Sequence, residues 1–499
     1  MYKTVFISII SSASLLSSVV VPDDYLIFAD ENLSYFYTKE HSGIMPMTKK
    51  YQEGVMRIYE EEFGLELDDE LLVGVASSEN QIANAYSTQI PFNSQILYGA
   101  GATYIDYFSI ISWLKTLLIH ETAHNYQLNP KENALSKASH HIVGNRAVTF
   151  LGLFPLFPLP NVLESSFNLE GNAVLNESRF GNGGRLFSGY AMAEVITMAR
   201  AGKITPELMY NITLEFPYGE KFYLIGGFFH QFLAQKYGME KVNNYFKAFA
   251  KQPFPFFTND VFEKHYGENF EVLLAEFVQE IQTKHHAFQV TQGALLATSQ
   301  VAVPLNRNAD EIYTLIGDNK SANRVLALAR GSQKLSFHEG AWRQGELFKI
   351  EGQYYSQSSA KTSPTAIEMG LFDKDGTLKK GSEGKAFQGM TAKGDEVYFD
   401  IEKSIESPQV YIGDDFYGES HSSIHVNKKD VYYFKQKGNQ RTLYKNAEAL
   451  TSFEGYYGFV VDVDSSGAIY FIATSKHGST VYCLKNKTIK RVTLGDDVI

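Results

Sequence analysis

"LLIHETAHNYQ", residues 117–127, is the stretch that most constrains the fold, because it contains two histidines four residues apart in an apolar run. Successive residues of an α-helix turn by about 100°, so His120 and His124 lie on one face, one turn apart. Two imidazoles placed in this way can bind the same zinc ion. Glu121 stands beside them, where a carboxylate can act as a general base on water. The stretch therefore predicts a helix that carries a zinc site.

A zinc site that keeps one position open needs three protein ligands, so a third ligand must lie elsewhere in the chain. The metzincin pattern requires glycine and histidine where this chain has Gln127 and Pro130, which excludes that class. Downstream, "SSFNLEGNAVLNESRFGNGGRL" (165–186) has apolar residues at helical spacing that would place Glu170 near the core. A carboxylate there is unfavourable unless it is paired or binds a cation, which favours Glu170 as the third ligand.

Other interpretations of these residues stay open at the level of the sequence. Glu170 could instead cap a helix or pair with Arg179 or Arg185. His140 and His141, which follow a polar stretch, are rival ligands. The geometry of the folded chain has to distinguish these possibilities.

Three motifs together resemble the gluzincin zinc metallopeptidases of the MA-like clan, in which HExxH is followed by a helix carrying a glutamate. They are "WLKTLLIHETAH" (113–124), "LEGNAVLNES" (169–178) and "GGRL" (183–186). Upstream, "ANAYSTQIPFNSQILY" (83–98) resembles the edge strand that precedes the zinc helix in that family. The resemblance covers roughly residues 50–282 and extends to bacterial exported proteins that join a gluzincin domain to a C-terminal TolB-type propeller. It implies a helix-rich, zincin-like α+β domain.

The resemblance also implies roles for individual residues. His120, His124 and Glu170 would bind one zinc ion, and Glu121 would activate water. Apart from the resemblance, the spacing of Glu177, two helical turns beyond Glu170, would let it brace a ligand histidine through its free ring nitrogen. A surface position for Glu177 is the alternative.

A zinc peptidase also needs a donor for the oxyanion that forms during attack on the carbonyl. "EKFYLIGGFFHQFLAQKYG" (220–238) resembles the family segment in which a tyrosine before a glycine has this role, and Tyr223 matches that position. An ordinary packed tyrosine is the alternative. Tyr218 and His230 are weaker candidates, since a lone histidine on an apolar helix is more often a satisfied core residue.

The N-terminus, "MYKTVFISIISSASLLSSVVVPDDY" (1–25), has Lys3, then an apolar and serine-rich stretch, then Pro22. This order is typical of a secretory signal and predicts a signal peptide at residues 1–21. A retained anchor and a buried segment are the alternatives. The prediction places the protein in the periplasm or outside the cell.

The rest of the chain divides near residue 285 into two predicted domains, 22–285 and 286–499. The first has mixed patterns with helices dominating, and the second has short aromatic and β-branched clusters separated by turn residues. These clusters are centred at Ile312, Leu347, Val397, Val431 and Ile469. Their spacing of roughly 35 to 50 residues predicts an all-β propeller of about five units, with a β-sandwich pair as the alternative.

The composition limits the possible partners. The formal net charge is −11 and no basic run occurs, which argues against nucleic acid as a partner. Cys483 is the single cysteine, so no disulfide can form within the chain.

These observations predict an exported zinc-dependent peptidase that acts on a peptide or protein substrate, which could pair with the edge strand at 83–98. The alternative is a catalytically idle periplasmic scaffold that binds a protein partner through its propeller. Membrane association is possible but is not predicted. The proline-punctuated stretch 148–166 could be a lid, a membrane-touching loop or a buried connector.

Overall fold

The structure is a computed structural model. The residues that it describes fall in several ranges. They are 25–30, 32–81, 84–99, 112–145, 148–150, 154–156, 159–211, 219–252, 256–287, 301–308, 311–317, 324–328, 343–363, 366–405, 407–455, 457–475 and 478–493. The predicted signal peptide lies outside them.

A five-stranded sheet begins the described chain, with the spatial order β1-β2-β3-β5-β4. Its strands are β1 (Tyr25–Asp30), β2 (Leu33–Thr38), β3 (Leu71–Val75), β4 (Asn84–Thr88) and β5 (Ser94–Tyr98). The β1-β2 and β4-β5 pairs are antiparallel, whereas β2-β3 and β3-β5 are parallel. In this order β4 is an edge strand and β5 is internal.

The stretch 83–98 is therefore a hairpin of two strands. The prediction of a single edge strand over these residues was wrong. The two strands are separated by the residues Gln89 to Asn93, which include Pro91. Proline has no backbone N–H and cannot donate to a strand ladder, so it favours a break at this point. Only β4 is placed to receive an extended chain at the sheet edge.

Ten α-helices occur in the described part of the chain, all of them before residue 285. They are α1 (Met45–Phe63), α2 (Trp113–Leu128), α3 (Ala134–Val143), α4 (Ser166–Arg179), α5 (Gly189–Arg200), α6 (Pro206–Tyr210), α7 (Glu220–Tyr237), α8 (Met239–Phe249), α9 (Thr258–Tyr266) and α10 (Phe270–Lys284). Nine of these helices contribute buried residues to one large core rich in aromatic side chains. Among the described helices, none combines the length and apolar character that crossing a membrane requires.

Helices α4 and α7 approach each other so closely that their backbones touch. A Cβ atom on Gly171 would lie 2.5 Å from the carbonyl carbon of Gly226, and one on Gly227 would lie 2.6 Å from Val174 Cγ1. Glycine is the residue that permits such close approach. The contact brings Tyr223, one turn before Gly226, against the turn of α4 that carries Glu170.

The second half of the described chain consists of antiparallel sheets. Its strands are β8 (Val301–Asn308), β9 (Glu311–Gly317), β10 (Arg324–Leu328), β11 (Arg343–Ile350), β12 (Gln353–Lys361), β13 (Ile367–Phe372), β14 (Lys385–Met390), β15 (Glu396–Asp400), β16 (Gln409–Ile412), β17 (Asp415–Glu419), β18 (His425–Asn427), β19 (Asp430–Lys437), β20 (Gln440–Lys445), β21 (Glu448–Glu454), β22 (Tyr457–Val463), β23 (Ile469–Ser475), β24 (Gly478–Lys485) and β25 (Thr488–Arg491). A short hairpin of β6 (Val148–Phe150) and β7 (Phe154–Leu156) precedes them in the chain.

These strands form five consecutive sheets, and each cluster predicted from the sequence falls in a different sheet. The sheets are β8 to β10, β11 to β13, β14 to β17, β18 to β21 and β22 to β25. From β11 onward, neighbouring sheets stack in chain order through β13-β14, β14-β18 and β19-β22 contacts, and buried residues of adjacent sheets form common cores. The prediction of a helix-rich first part followed by a β-propeller-like region is confirmed. The four sheets from β11 to β25 are its stacked blades.

The two parts meet at the base of the β4-β5 hairpin. Just before β4, the backbone N–H of Gln81 donates to Ile367 O at 2.9 Å, and its side-chain Oε1 accepts from Met369 N at 2.9 Å. Just after β5, Gly99 packs on Ile405, whose Cγ2 would lie 3.0 Å from an added Cβ. The propeller-like region therefore holds the hairpin at both ends.

Candidate metal centre

Helix α2 is buried between two cores, and this burial sets the direction of its polar residues. It begins after Ser112, whose hydroxyl caps the helix by accepting from Lys115 N at 3.2 Å. Leu114 and Leu118 pack against the N-terminal sheet, whereas Ala123 belongs to the aromatic core. The remaining face carries the histidines of the motif.

Two imidazoles and one carboxylate converge on that face. Oε2 of Glu170 lies 3.2 Å from His120 Nε2 and 3.3 Å from His124 Nε2. Ligand atoms about 2.0 to 2.1 Å from one ion in tetrahedral geometry lie about 3.3 Å apart, which is close to these two distances. All three ligand atoms lie within 4.8 Å of one another. The three residues predicted as ligands thus form a possible metal-binding group. Glu170 has the most exposed side chain of the three, at 23%, so the group is open to solvent on that side.

The rival interpretations of these residues do not agree with the geometry. Arg179 pairs with Glu62, and Arg185 Nη1 lies 3.5 Å from Glu177. His140 Nε2 lies 2.9 Å from Asp69 Oδ2. His141 is exposed on α3.

Each histidine of this possible metal-binding group is oriented through its second ring nitrogen. His120 Nδ1 lies 2.9 Å from Oε2 of Glu177, a buried residue that also accepts from Arg185 N at 3.3 Å. This contact agrees with the bracing role suggested for Glu177. His124 Nδ1 lies 2.8 Å from Gln127 Oε1. With Nδ1 donating to these oxygens, the Nε2 lone pair of each ring faces the common point.

Gln127 is a functional candidate that the sequence analysis missed. Its Nε2 donates to Leu169 O at 3.0 Å and to Asn172 Oδ1 at 2.8 Å, so one amide joins α2 to the helix that carries Glu170. The available signal was its spacing of three residues from His124, since residues three apart on a helix are neighbours.

Glu121 is buried beside the ligands and is only partly satisfied. Among the described residues, nothing forms a hydrogen bond to its Oε2. Burial raises the pKa of this carboxyl group, while the two histidines act in the opposite direction. A buried carboxylate oxygen of this kind can accept a proton from a water molecule held between Glu121 and the three candidate ligands.

Tyr223 lies next to the same group of residues. Its ring centroid is 6.3 Å from that of His120, and the guanidinium of Arg185 lies 4.7 Å from the Tyr223 ring. Burial, followed by the neighbouring Glu170 carboxylate, raises the pKa of the phenol, so it is protonated at neutral pH and able to donate.

The structure describes one of the two weaker candidates for the donor to the oxyanion. Tyr218 lies outside the described residues. His230 is buried on α7 with Nδ1 2.8 Å from Gly226 O, and burial lowers its pKa to about 4. His230 is a satisfied core residue, as the sequence analysis expected.

The charges of the pocket fit a divalent cation. Without a cation, the neighbouring carboxylates outweigh burial and raise the pKa of both histidines, that of His120 to about 10, so both imidazoles are protonated. A bound cation would replace these protons and leave an excess of negative charge, because Glu121, Glu170 and Glu177 would then face the single guanidinium of Arg185. Burial raises the pKa of Glu170, but the two histidines outweigh it and hold that pKa well below its usual range. An ionised carboxylate in a buried pocket is stable only next to positive charge. The donor set, the orphaned Glu121 oxygen and the excess charge all fit a bound cation.

Comparison of the sequence with models of known protein families gives no match, and no curated protein is significantly similar.

Proposed function

We propose that this protein is an exported zinc-dependent peptidase of the gluzincin type. The observation that carries the proposal is the convergence of His120, His124 and Glu170 beside a buried carboxylate, Glu121, that has an unpaired oxygen. Two histidines and one glutamate with an open position form a ligand set typical of catalytic zinc.

A zinc ion held by these ligands supplies Lewis acidity that activates a water and polarises the carbonyl of the scissile bond. Glu121 accepts the proton of the attacking water at its free oxygen and then transfers it to the leaving amine. Tyr223 donates its hydroxyl hydrogen to the developing oxyanion. Glu177 and Gln127 keep the two imidazoles in the productive tautomer.

The position of β4 supports an extended peptide as the substrate. Among the described strands, β4 pairs only with β5, and it contacts the metal-site helix α2 on its way along the sheet edge. A peptide added to this edge would be bound through its backbone, with little dependence on its side chains.

Glu121→Gln provides the test. The substitution keeps the shape of the side chain and both histidines, so zinc should remain bound while hydrolysis of a denatured protein falls by about 100-fold or more. His124→Ala serves as the comparison and should lose both zinc and activity. Zinc is measured on each preparation near neutral pH, so that loss of metal is not mistaken for loss of chemistry.

Wild-type rates for Glu121→Gln would rule the peptidase out. A wild-type protein that binds zinc but hydrolyses no denatured protein would support the idle scaffold instead.

A further inference from the structure

An exposed apolar surface lies on the helix-rich part of the chain. We call it the apolar face and define it by six large side chains that are at least 40% exposed. They are Leu135, Ile142, Val162, Leu163, Phe256 and Phe257. Phe256 and Phe257 are 68% and 58% exposed, although phenylalanine is usually buried.

Three separate segments carry the apolar face, and hydrogen bonds tie all of them to the end of α8. Asn133, which caps α3, donates to Ala250 O and Gln252 O at 2.9 Å each. Asn161, in the 3-10 turn Pro160–Leu163, donates to the backbone of α8 at Phe246 O. In the third segment, Phe257 N donates to Gln252 Oε1 at 3.1 Å. The three segments that carry the apolar side chains are therefore held around one point of the fold.

A basic pocket adjoins the apolar face. Lys251, Lys264 and His265 line it together with Phe257, and Asp260 is the acidic residue among its lining side chains. Both lysines are exposed. Burial lowers the pKa of His265, so the positive charge of the pocket comes from the two lysines, against the single carboxylate of Asp260. This local excess of positive charge stands in a chain of net charge −11.

The combination of exposed aromatic side chains and lysines favours one kind of partner. Aromatic and aliphatic side chains on such a face enter the boundary between lipid headgroups and acyl chains. Lysines beside them are attracted to anionic headgroups. A soluble unfolded protein offers no comparable array of negative charge beside an apolar layer.

We propose that the apolar face and the basic pocket dock on an anionic phospholipid surface. Phe256 and Phe257 enter the headgroup region, and Lys251 and Lys264 bind lipid phosphates. Asn161 also donates to Gln127 O, so this docking surface lies beside the end of the helix that carries the metal ligands. The proposal does not depend on peptidase activity.

The test is co-sedimentation of the full chain with vesicles that contain phosphatidylglycerol, compared with vesicles of phosphatidylcholine alone. We expect binding to the anionic vesicles that weakens as salt increases. Phe256→Ser with Phe257→Ser, and separately Lys251→Ala with Lys264→Ala, should each weaken binding by about tenfold. All variants keep the same N-terminus, so any contribution of its apolar stretch is common to them.

Matched controls come from the propeller-like region. Phe416, 57% exposed, and Lys374, 67% exposed, are changed to serine and alanine and should leave vesicle binding unchanged. Thermal unfolding of every variant checks that the fold is intact.

Three results would overturn the proposal. They are no binding of the wild type to anionic vesicles at low salt, equal losses for the control variants, and equal binding to both kinds of vesicle. If the phenylalanine changes instead weaken binding to a denatured protein while vesicles are not bound, the face serves a protein partner.

Discussion

At the scale of the residue, Gln127 connects the two helices that supply the candidate metal ligands. Its side chain accepts from one imidazole and donates twice to the helix of Glu170. The Nδ1 atoms of His120 and His124 thus have different hydrogen-bond partners. His120 is bonded to the carboxylate of Glu177, and His124 is bonded to the amide of Gln127. The carboxylate makes its ring the more basic ligand, whereas the amide adds no charge.

Gln127→Leu should weaken zinc binding by about 10-fold to 100-fold, because His124 loses the acceptor that fixes its tautomer. Competition with a chromophoric chelator measures the affinity. Gln89→Leu is the matched control, since Gln89 is an equally buried amide that bonds Asn125 of the same helix at 3.1 Å without contacting a ligand. Equal affinities in the two variants would show that Gln127 has no positioning role.

Tyr223→Phe removes one hydroxyl and keeps the ring that contacts His120 and Arg185. If the hydroxyl donates to the oxyanion, the turnover rate should fall by roughly 100-fold to 1000-fold, with zinc content and stability unchanged. Tyr237→Phe on the same helix is the control. A wild-type rate for Tyr223→Phe would return this residue to a packing role.

At the scale of the element, the contact between α4 and α7 depends on glycines. The helix of Glu170 and the helix of Tyr223 can bring their functional side chains together only because no Cβ atom separates their backbones. A larger residue there would push the helices apart and so separate Tyr223 from the candidate metal ligands.

Gly171→Ala should therefore reduce the free energy of unfolding by about 1 to 3 kcal/mol or more, since the new methyl group overlaps backbone atoms that cannot move aside. Urea denaturation measures the change. Gly54→Ala in α1 is the control, because an added Cβ at Gly54 has no atom within 4 Å. Alanine there should be neutral or stabilising by up to about 1 kcal/mol. Similar losses in both variants would contradict close packing of α4 on α7.

At the scale of the whole molecule, the propeller-like region supports the hairpin whose edge strand is the candidate site for substrate binding. Gln81 is 5% exposed, and its side chain satisfies the backbone N–H of Met369 in β13. The two parts of the chain are therefore joined by buried polar bonds at the strand where a peptide would bind.

Gln81→Leu would leave the Met369 N–H without its acceptor and should cost about 1 to 3 kcal/mol of stability. Denaturant unfolding measures this cost, and hydrogen exchange should become faster at Met369 and along β4. Gln440→Leu, at an exposed position of β20, should change stability by less than about 0.5 kcal/mol. Unchanged exchange at β4 would mean that the hairpin does not depend on this contact.

Local patterns account for what could be predicted of this chain before its fold was known. The 3.6-residue period of α2 places His120 and His124 on one face wherever the helix lies, so two ligands follow from spacing alone. The strand clusters after residue 300 likewise predict the stacked sheets, because alternation along a strand is a local property. The third ligand was more difficult, since Glu170 lies 50 residues along the chain from His120. Its prediction needed the resemblance and the cost of burying a carboxylate.

By itself, the sequence determined the elements and the kinds of side chain available for a metal site, because both depend on neighbouring residues. Tertiary packing alone decided that Gln127 orients His124, that β4 and not β5 lies at the sheet edge, and that Gln81 joins the hairpin to β13. Each of these facts is a contact between segments far apart in the chain. Such contacts depend on how the helices pack at their glycines and around the aromatic core. The periodicity of a single segment does not determine this packing.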